Sequence, residues 1–168
     1  MRKAFTLIEL LISIIILSIL MLFLYQSYAQ LNKSNGLLNT KVQQSQKEEL
    51  IKKTLYLDII TAIKGSIQIL KQDPKKDIIF LQSTHSLHER INPYVAYILK
   101  EKHLYRLESF KAFKEYPLPA ESNFVVDDLG AVDIFRLYPS KNKKSPSYFV
   151  HLKFVNKNEI ILKIKPLS

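Results

Sequence analysis

The sequence predicts an α+β fold: one long amino-terminal helix packed on an antiparallel β-sheet. Three observations carry this expectation. A long, predominantly apolar stretch begins at Phe5. A segment with apolar residues at helical spacing follows it, to about residue 72. The remainder consists of short apolar or alternating runs separated by polar turns, the pattern of strands. The 168 residues are enough for one domain, and 47% of them are apolar, so the chain has the material for a core. With only 3 Gly and 7 Pro, collagen-like and linker-like organisation is excluded. Cys is absent, which removes disulfides, thiolate metal sites and a cysteine nucleophile.

Residues 5–24 form the first element. As a helix these 20 residues are about 30 Å long, the thickness of a bilayer's hydrocarbon core. Thr6, Glu9, Ser13 and Ser18 are its polar members. Arg2 and Lys3 precede it, which by the positive-inside rule keeps the short amino terminus cytoplasmic and sends the rest across. Tyr25 and Tyr28 stand at the far end, where amphipathic rings favour the interface. A cleaved secretory signal has a shorter apolar core and a small-residue triplet after it; Ser27-Tyr28-Ala29 is a poor match. A plain signal anchor explains everything except Glu9. A charged side chain inside a bilayer is costly and usually has a partner or a function. Read alone, Glu9 is also compatible with an interfacial carboxylate of no consequence.

The residues around it narrow the choice. Lys3-Ala4-Phe5-Thr6-Leu7-Ile8-Glu9 is a short basic leader, a small residue, and Phe-Thr-Leu-Ile-Glu ahead of a long apolar helix. This resembles the processing motif of type IV prepilins and of type II secretion pseudopilins. The resemblance implies a pilin-like fold and cleavage between Ala4 and Phe5 by a prepilin peptidase, followed by N-methylation of Phe5. Ala4 stands where the family usually has Gly, and it is still small. The resemblance also implies that Glu9 serves assembly, facing the freed Phe5 amine of a neighbouring subunit. Such a pair offsets the cost of burying either charge alone and fixes axial register. Ser13 and Ser18 permit close helix approach. Implied domains are a leader (1–4), a transmembrane and assembly helix (5–28), and a periplasmic pilin-like domain (29–168).

Beyond Tyr25 the helical pattern turns amphipathic. Leu38, Val42, Leu50, Leu57, Ile60, Ile63, Ile67 and Leu70 are spaced for one helix face, and Lys41, Gln43, Gln44, Lys47, Glu48, Lys52 and Lys53 cover the rest. The polar run at 32–35 and Gly36 mark a point for a bend or local unwinding. Asp73-Pro74 ends the helix, with Gly65 tolerated inside it.

Strands follow. IIFL (78–81) is a short apolar run. YVAYIL (94–99) and HLYRLE (103–108), joined by Lys100-Glu101-Lys102, read as a hairpin. Residues 116–123 are a loop containing Pro117 and Pro119, and 131–138 is a further strand. Residues 148–155 and 160–164 pair across an Asn156-Lys157-Asn158 turn, with Tyr148, Val150, Leu152 and Phe154 on one face. A helix ending near Leu57-Asp58-Ile59, followed by strands reading V-x-Y-x-L (95–99) and L-x-R (104–106), resembles the minor pseudopilins of the J type and the minor pilins of the W type. That resemblance implies a subunit at the filament tip.

Other chemistries fit less well. His85, His88 and Glu89 do not have H-E-x-x-H spacing and read as a solvated loop, so no metal is expected. His103 and His151 read as half-exposed strand residues. Asp127, Asp128 and Asp133 read as loop-shaping rather than catalytic, and Asp127-Asp128 lacks the alternating oxygens of a Ca²⁺ loop. No G-x-S-x-G or Gly-rich phosphate loop occurs, so no catalytic residue and no cofactor are expected.

Of the net charge of +10, +9 falls on residues 29–168, and Lys141-Asn-Lys-Lys144 is a compact basic loop. The dispersed lysines read mainly as a solubilising surface.

The expectation is therefore a single-pass inner-membrane protein that joins a type II secretion pseudopilus as a minor subunit. Its implied partners are other pilin or pseudopilin subunits, the prepilin peptidase and methylase, the inner-membrane assembly platform and membrane lipid. The alternatives are a minor type IV pilus subunit in DNA uptake or adhesion, with nucleic acid as partner, and a membrane-anchored periplasmic enzyme.

Overall fold

The computed structural model of the chain describes residues 6–118, 123–140, 146–155 and 158–167. Residues 1–46 and 47–168 form two separate compact units. Helix α1 runs over Leu7–Ile60. Seven strands follow among the described residues: β1 (Gln68–Asp73), β2 (Lys76–Gln82), β3 (Tyr94–Lys100), β4 (His103–Ser109), β5 (Phe124–Pro139), β6 (Tyr148–Phe154) and β7 (Glu159–Ile164). The α+β arrangement of a long helix followed by an antiparallel sheet is the one the sequence predicts.

In the first unit the helix is continuous through residues 32–36, so the polar run and Gly36 neither unwind nor interrupt it. Thr40 Oγ1 donates to the Gly36 carbonyl at 3.0 Å and closes this turn locally. Leu38 and Val42 are exposed.

In the second unit α1 ends at Ile60, a dozen residues before the expected stop. The competing structure is strand pairing. The Ile63 amide donates to the Gln82 carbonyl at 2.8 Å, and Ala62 bridges Ser83. Gly65 has φ +75° and turns the chain into β1, so it is a turn residue rather than a tolerated helix interior. Asp73-Pro74 lies in the β1–β2 turn, where Asp73 Oδ1 accepts from the Lys75 amide at 2.8 Å. The Leu167 amide bonds the Ile60 carbonyl at 2.9 Å, satisfying a helix-end acceptor from the far end of the chain.

The expected helix face is also displaced. Ile51, Thr54, Leu55, Asp58 and Ile59 are buried, at spacings of three and one, whereas Leu50 is 53% exposed. The buried face includes a threonine and an aspartate, which a hydropathy pattern reads as surface.

Strand order is β1-β2-β3-β4-β5-β6-β7, each antiparallel to the next. The sixteen-residue β5 joins the halves: Phe124 to Ala131 pair with β4, and Val132 to Pro139 with β6. It also reaches β2 at Lys76↔Phe135, in a parallel pairing. Buried Asp77 secures this junction by accepting from the Leu137 amide at 3.0 Å. Between β3 and β4, Glu101 and Lys102 take φ of 51° and 62°, the geometry of a tight two-residue hairpin.

Two apolar clusters sandwich the central strands. On the helix side Ile51, Leu55 and Ile59 pack with Ile79, Leu81, Val95, Leu104, Phe135, Val150 and Leu152. The expected face of β6 is confirmed there by Val150, Leu152 and Phe154, with Tyr148 packed at the margin. On the outer side Ile78, Phe80, Ala96, Ile98 and Leu107 form a second cluster. Burial on both faces explains why β2 and β3 are continuous apolar runs rather than alternating ones.

Candidate functional site

The amino-terminal site is described from Thr6 onward; Ala4 and Phe5 lie outside the described residues. Thr6 starts the helix, its carbonyl accepting from the Glu9 and Leu10 amides at 3.1 and 3.3 Å. Glu9 reaches back: its Oε2 accepts from the Thr6 amide and from Thr6 Oγ1, both at 2.9 Å. A Thr-x-x-Glu spacing with the glutamate on the cap residue's amide is one half of a capping box. The pattern is legible in the sequence.

Around this cap the helix is apolar and open. Every Leu, Ile, Met and Phe in residues 7–24 is at least 50% exposed. Ser13 Oγ and Ser18 Oγ donate to the carbonyls of Glu9 and Ile14, both at 2.8 Å, so these hydroxyls are satisfied within their own helix. By length and composition the helix can cross a membrane.

The second concentration of charge lies inside the domain. Asp58, on the last turns of α1, is fully buried. Its carboxylate accepts from Tyr97 Oη at 2.5 Å on β3 and from Arg106 Nε at 2.8 Å and Nη2 at 3.3 Å on β4. His85 Nδ1 lies 2.6 Å from Asp58 Oδ1. Arg106 Nη1 also donates to Glu108 Oε2 at 2.6 Å, and Glu108 accepts from Ser86 Oγ at 2.5 Å and the Leu87 amide at 3.1 Å. Burial opposes the charge on Arg106, but the hydrogen bonds and attraction of Asp58 outweigh it and raise the guanidinium's pKa. Burial and the Asp58 charge together push the Tyr97 hydroxyl well up. For Glu108 burial favours the neutral acid, yet hydrogen bonds from Ser86, Arg106 and Leu87 prevail and lower its pKa.

The same network corrects the reading of the histidine segment as solvated. His85 bonds the helix through Asp58, His88 Nε2 lies 3.0 Å from both oxygens of Asp127, and Ser86 Oγ accepts from the His88 and Arg90 amides. Arg90 Nη1 donates to the Glu108 carbonyl at 2.7 Å. The loop is thus pinned at both ends by acids of α1, β4 and β5. Glu89 sits in it with φ 57° and makes none of these bonds.

Asp127, Asp128 and Asp133 are in β5, not in a loop. Asp127 Oδ2 lies 3.7 Å from Arg106, Asp128 pairs with His103 at 2.9 Å, and Asp133 with Lys102 at 3.5 Å. His151 pairs with Glu159 across β6 and β7 at 2.6 Å. The basic 141–144 loop and residues 119–122 of the 116–123 loop lie outside the described residues. The Asp58–Arg106–Glu108 cluster escaped sequence reasoning because its members are 48 and 2 residues apart on different elements. The L-x-R and V-x-Y-x-L strings were the available signal.

Residues 1–25 match the prokaryotic N-terminal methylation motif. No curated protein matches the chain.

Proposed function

The chain carries the amino-terminal motif of the type IV prepilin and pseudopilin family, and we propose that it is a minor subunit of a type II secretion pseudopilus. One observation carries the reading: Glu9 is the sole charged residue from position 5 to 32, on the part of α1 whose large apolar side chains, from Leu7 to Leu24, are all at least half exposed. Such a surface needs lipid or other helices around it.

The mechanism is assembly rather than catalysis. The leader lies in the cytoplasm, α1 anchors the chain in the inner membrane, and the domain stands in the periplasm. The peptidase cuts between Ala4 and Phe5, and the new Phe5 amine is methylated but stays cationic. In the membrane-held subunit Glu9 is bonded to Thr6 at its own helix start. On entry to the filament it meets the Phe5 amine of a neighbouring copy or subunit, and water is excluded around the pair. The ion pair then sets the axial step between subunits, because the flanking Leu and Ile residues permit many slides.

The minor and tip-located role rests on the second resemblance. Tyr97 and Arg106, which carry it, converge on Asp58 in the core, so the three stretches of sequence that suggested the subtype act as one structural unit. The test is processing in cells. Ala4→Leu in the full chain should abolish cleavage, leaving the mass of the intact precursor. A mature mass unchanged from wild type overturns the assigned cut. Pull-down of secretion pseudopilins with the processed wild-type chain supports the pseudopilus; recovery of type IV pilus subunits instead contradicts it.

A further inference from the structure

We propose that residues 110–118 are a displaceable strap over the outer face of the sheet, opening without unfolding the domain. Between β4 and β5 the chain crosses the outer cluster of Ile78, Phe80, Ala96, Ile98 and Leu107. Phe113 and Leu118 of the strap pack on this cluster, beside Tyr105 of β4 and Phe124 of β5. The Phe113 ring stacks on Phe80 at 5.7 Å and leans on Phe124 at 6.3 Å.

What holds the strap is apolar contact. The Lys111 amide donates to Ser109 Oγ at 3.0 Å. After it, residues 112–118 make no hydrogen bond or ion pair among the described residues. Phe110, at the hinge, is 71% exposed, with the Arg90 guanidinium 4.4 Å over its ring. Arg90 is itself tied to the Glu108 carbonyl, so the hinge is anchored to the rigid network while the strap beyond it is not. Along one margin the cover is incomplete. A cleft of about 210 Å³ opens there, lined by Ala112 and Phe113 together with Ser66, Gln68, Gln82 and Tyr94.

The consequence is a two-layer domain with unequal covers. The helix side is closed by α1 and the buried charges. The outer side is closed by two partly buried side chains on a segment that, among the described residues, is hydrogen-bonded to the sheet only through the Lys111 amide to Ser109. Segments with few polar ties open below the global unfolding limit. Opening uncovers a contiguous apolar strip on β2, β3 and β4. The strap therefore keeps that strip hidden in the closed subunit.

Thiol accessibility separates strap opening from unfolding, and the chain's lack of cysteine makes single-cysteine variants clean reporters. Ala96 and Val95 are adjacent on β3 and both fully buried; Ala96 faces the strap and Val95 faces α1. The full chain in lipid nanodiscs is reacted with a maleimide under native conditions. Ala96→Cys should react about tenfold or more faster than Val95→Cys. Adding Phe113→Ala should speed Ala96→Cys several-fold further and leave Val95→Cys unchanged. Equal rates for the two reporters, or equal acceleration of both by Phe113→Ala, overturn the strap. Should Ala96→Cys perturb the fold, Ile98→Cys against Leu99→Cys repeats the comparison on the same two faces.

Discussion

Helix α1 carries two carboxylates among apolar neighbours, Glu9 near its start and Asp58 near its end, and they are treated in opposite ways. Asp58 is fully buried and saturated: a tyrosine, an arginine through its Nε and Nη2, and a histidine converge on it from three parts of the chain. Glu9 is exposed and, among the described residues, its carboxylate is bonded by its own Thr6 alone. Asp58 is a completed site, and it fastens the helix to the sheet. Glu9 stands on an open apolar surface, and under the proposed function its carboxylate is completed from outside the subunit. Where a chain finishes its own polar groups it builds a fold; where it leaves one open in an apolar setting it specifies assembly.

The comparison can be broken from either end. The largest effect is expected at the finished site. Arg106→Ala leaves Asp58 and Glu108 buried without their cation, and should cost roughly 3–5 kcal/mol. Replacing the set together, as Asp58→Leu with Arg106→Met and Glu108→Gln, should recover most of that loss. Urea unfolding of the full chain in detergent, followed by near-ultraviolet circular dichroism, reads both. A triple variant no more stable than Arg106→Ala would show that the charges matter for more than mutual compensation.

Next comes packing along the same helix. Leu55→Ala should lose roughly 2–5 kcal/mol. Leu38→Ala, on the exposed stretch, should change domain stability by less than about 0.5 kcal/mol. A large loss at Leu38 would mean that the exposed stretch supports the domain. Tyr97→Phe removes a single donor to Asp58 and should cost about 1 kcal/mol by the same assay.

The smallest effect is on pH. The folded state holds the Glu108 pKa below its ordinary 4.5. Its contribution to stability is therefore fully present above the unfolded value and is lost as pH falls through the folded one. Stability against urea should be flat in this term at neutral pH and fall in acid below about 4.5, with a shallower fall in Glu108→Gln. An identical acid limb in the variant would remove Glu108 from the account.

Much of this was legible in the sequence, for physical reasons that also mark its limit. Strands β2, β3, β4, β6 and β7 announced themselves because apolar runs and polar turns act locally. The end of α1 did not. Ile63, Ile67 and Leu70 keep a helical spacing, and only the pairing of residues 62–63 with β2 shows that they belong to the sheet. The buried face of α1 was misplaced for a related reason: Asp58 looks like a surface residue until Tyr97 and Arg106, 39 and 48 positions away, are brought beside it. At the amino terminus the methylation motif was readable, and so was the Thr6–Glu9 cap.

The central claim is that Glu9 is satisfied across subunits, and Glu9→Ala in the full-length chain tests it directly. Two quantities are measured on material from the same cells: the intact mass of the variant and its abundance in isolated filaments relative to wild type. The expected result is a correctly trimmed chain beginning at Phe5 whose incorporation falls by about tenfold or more. Trimmed variant present in filaments at the wild-type level would contradict the claim.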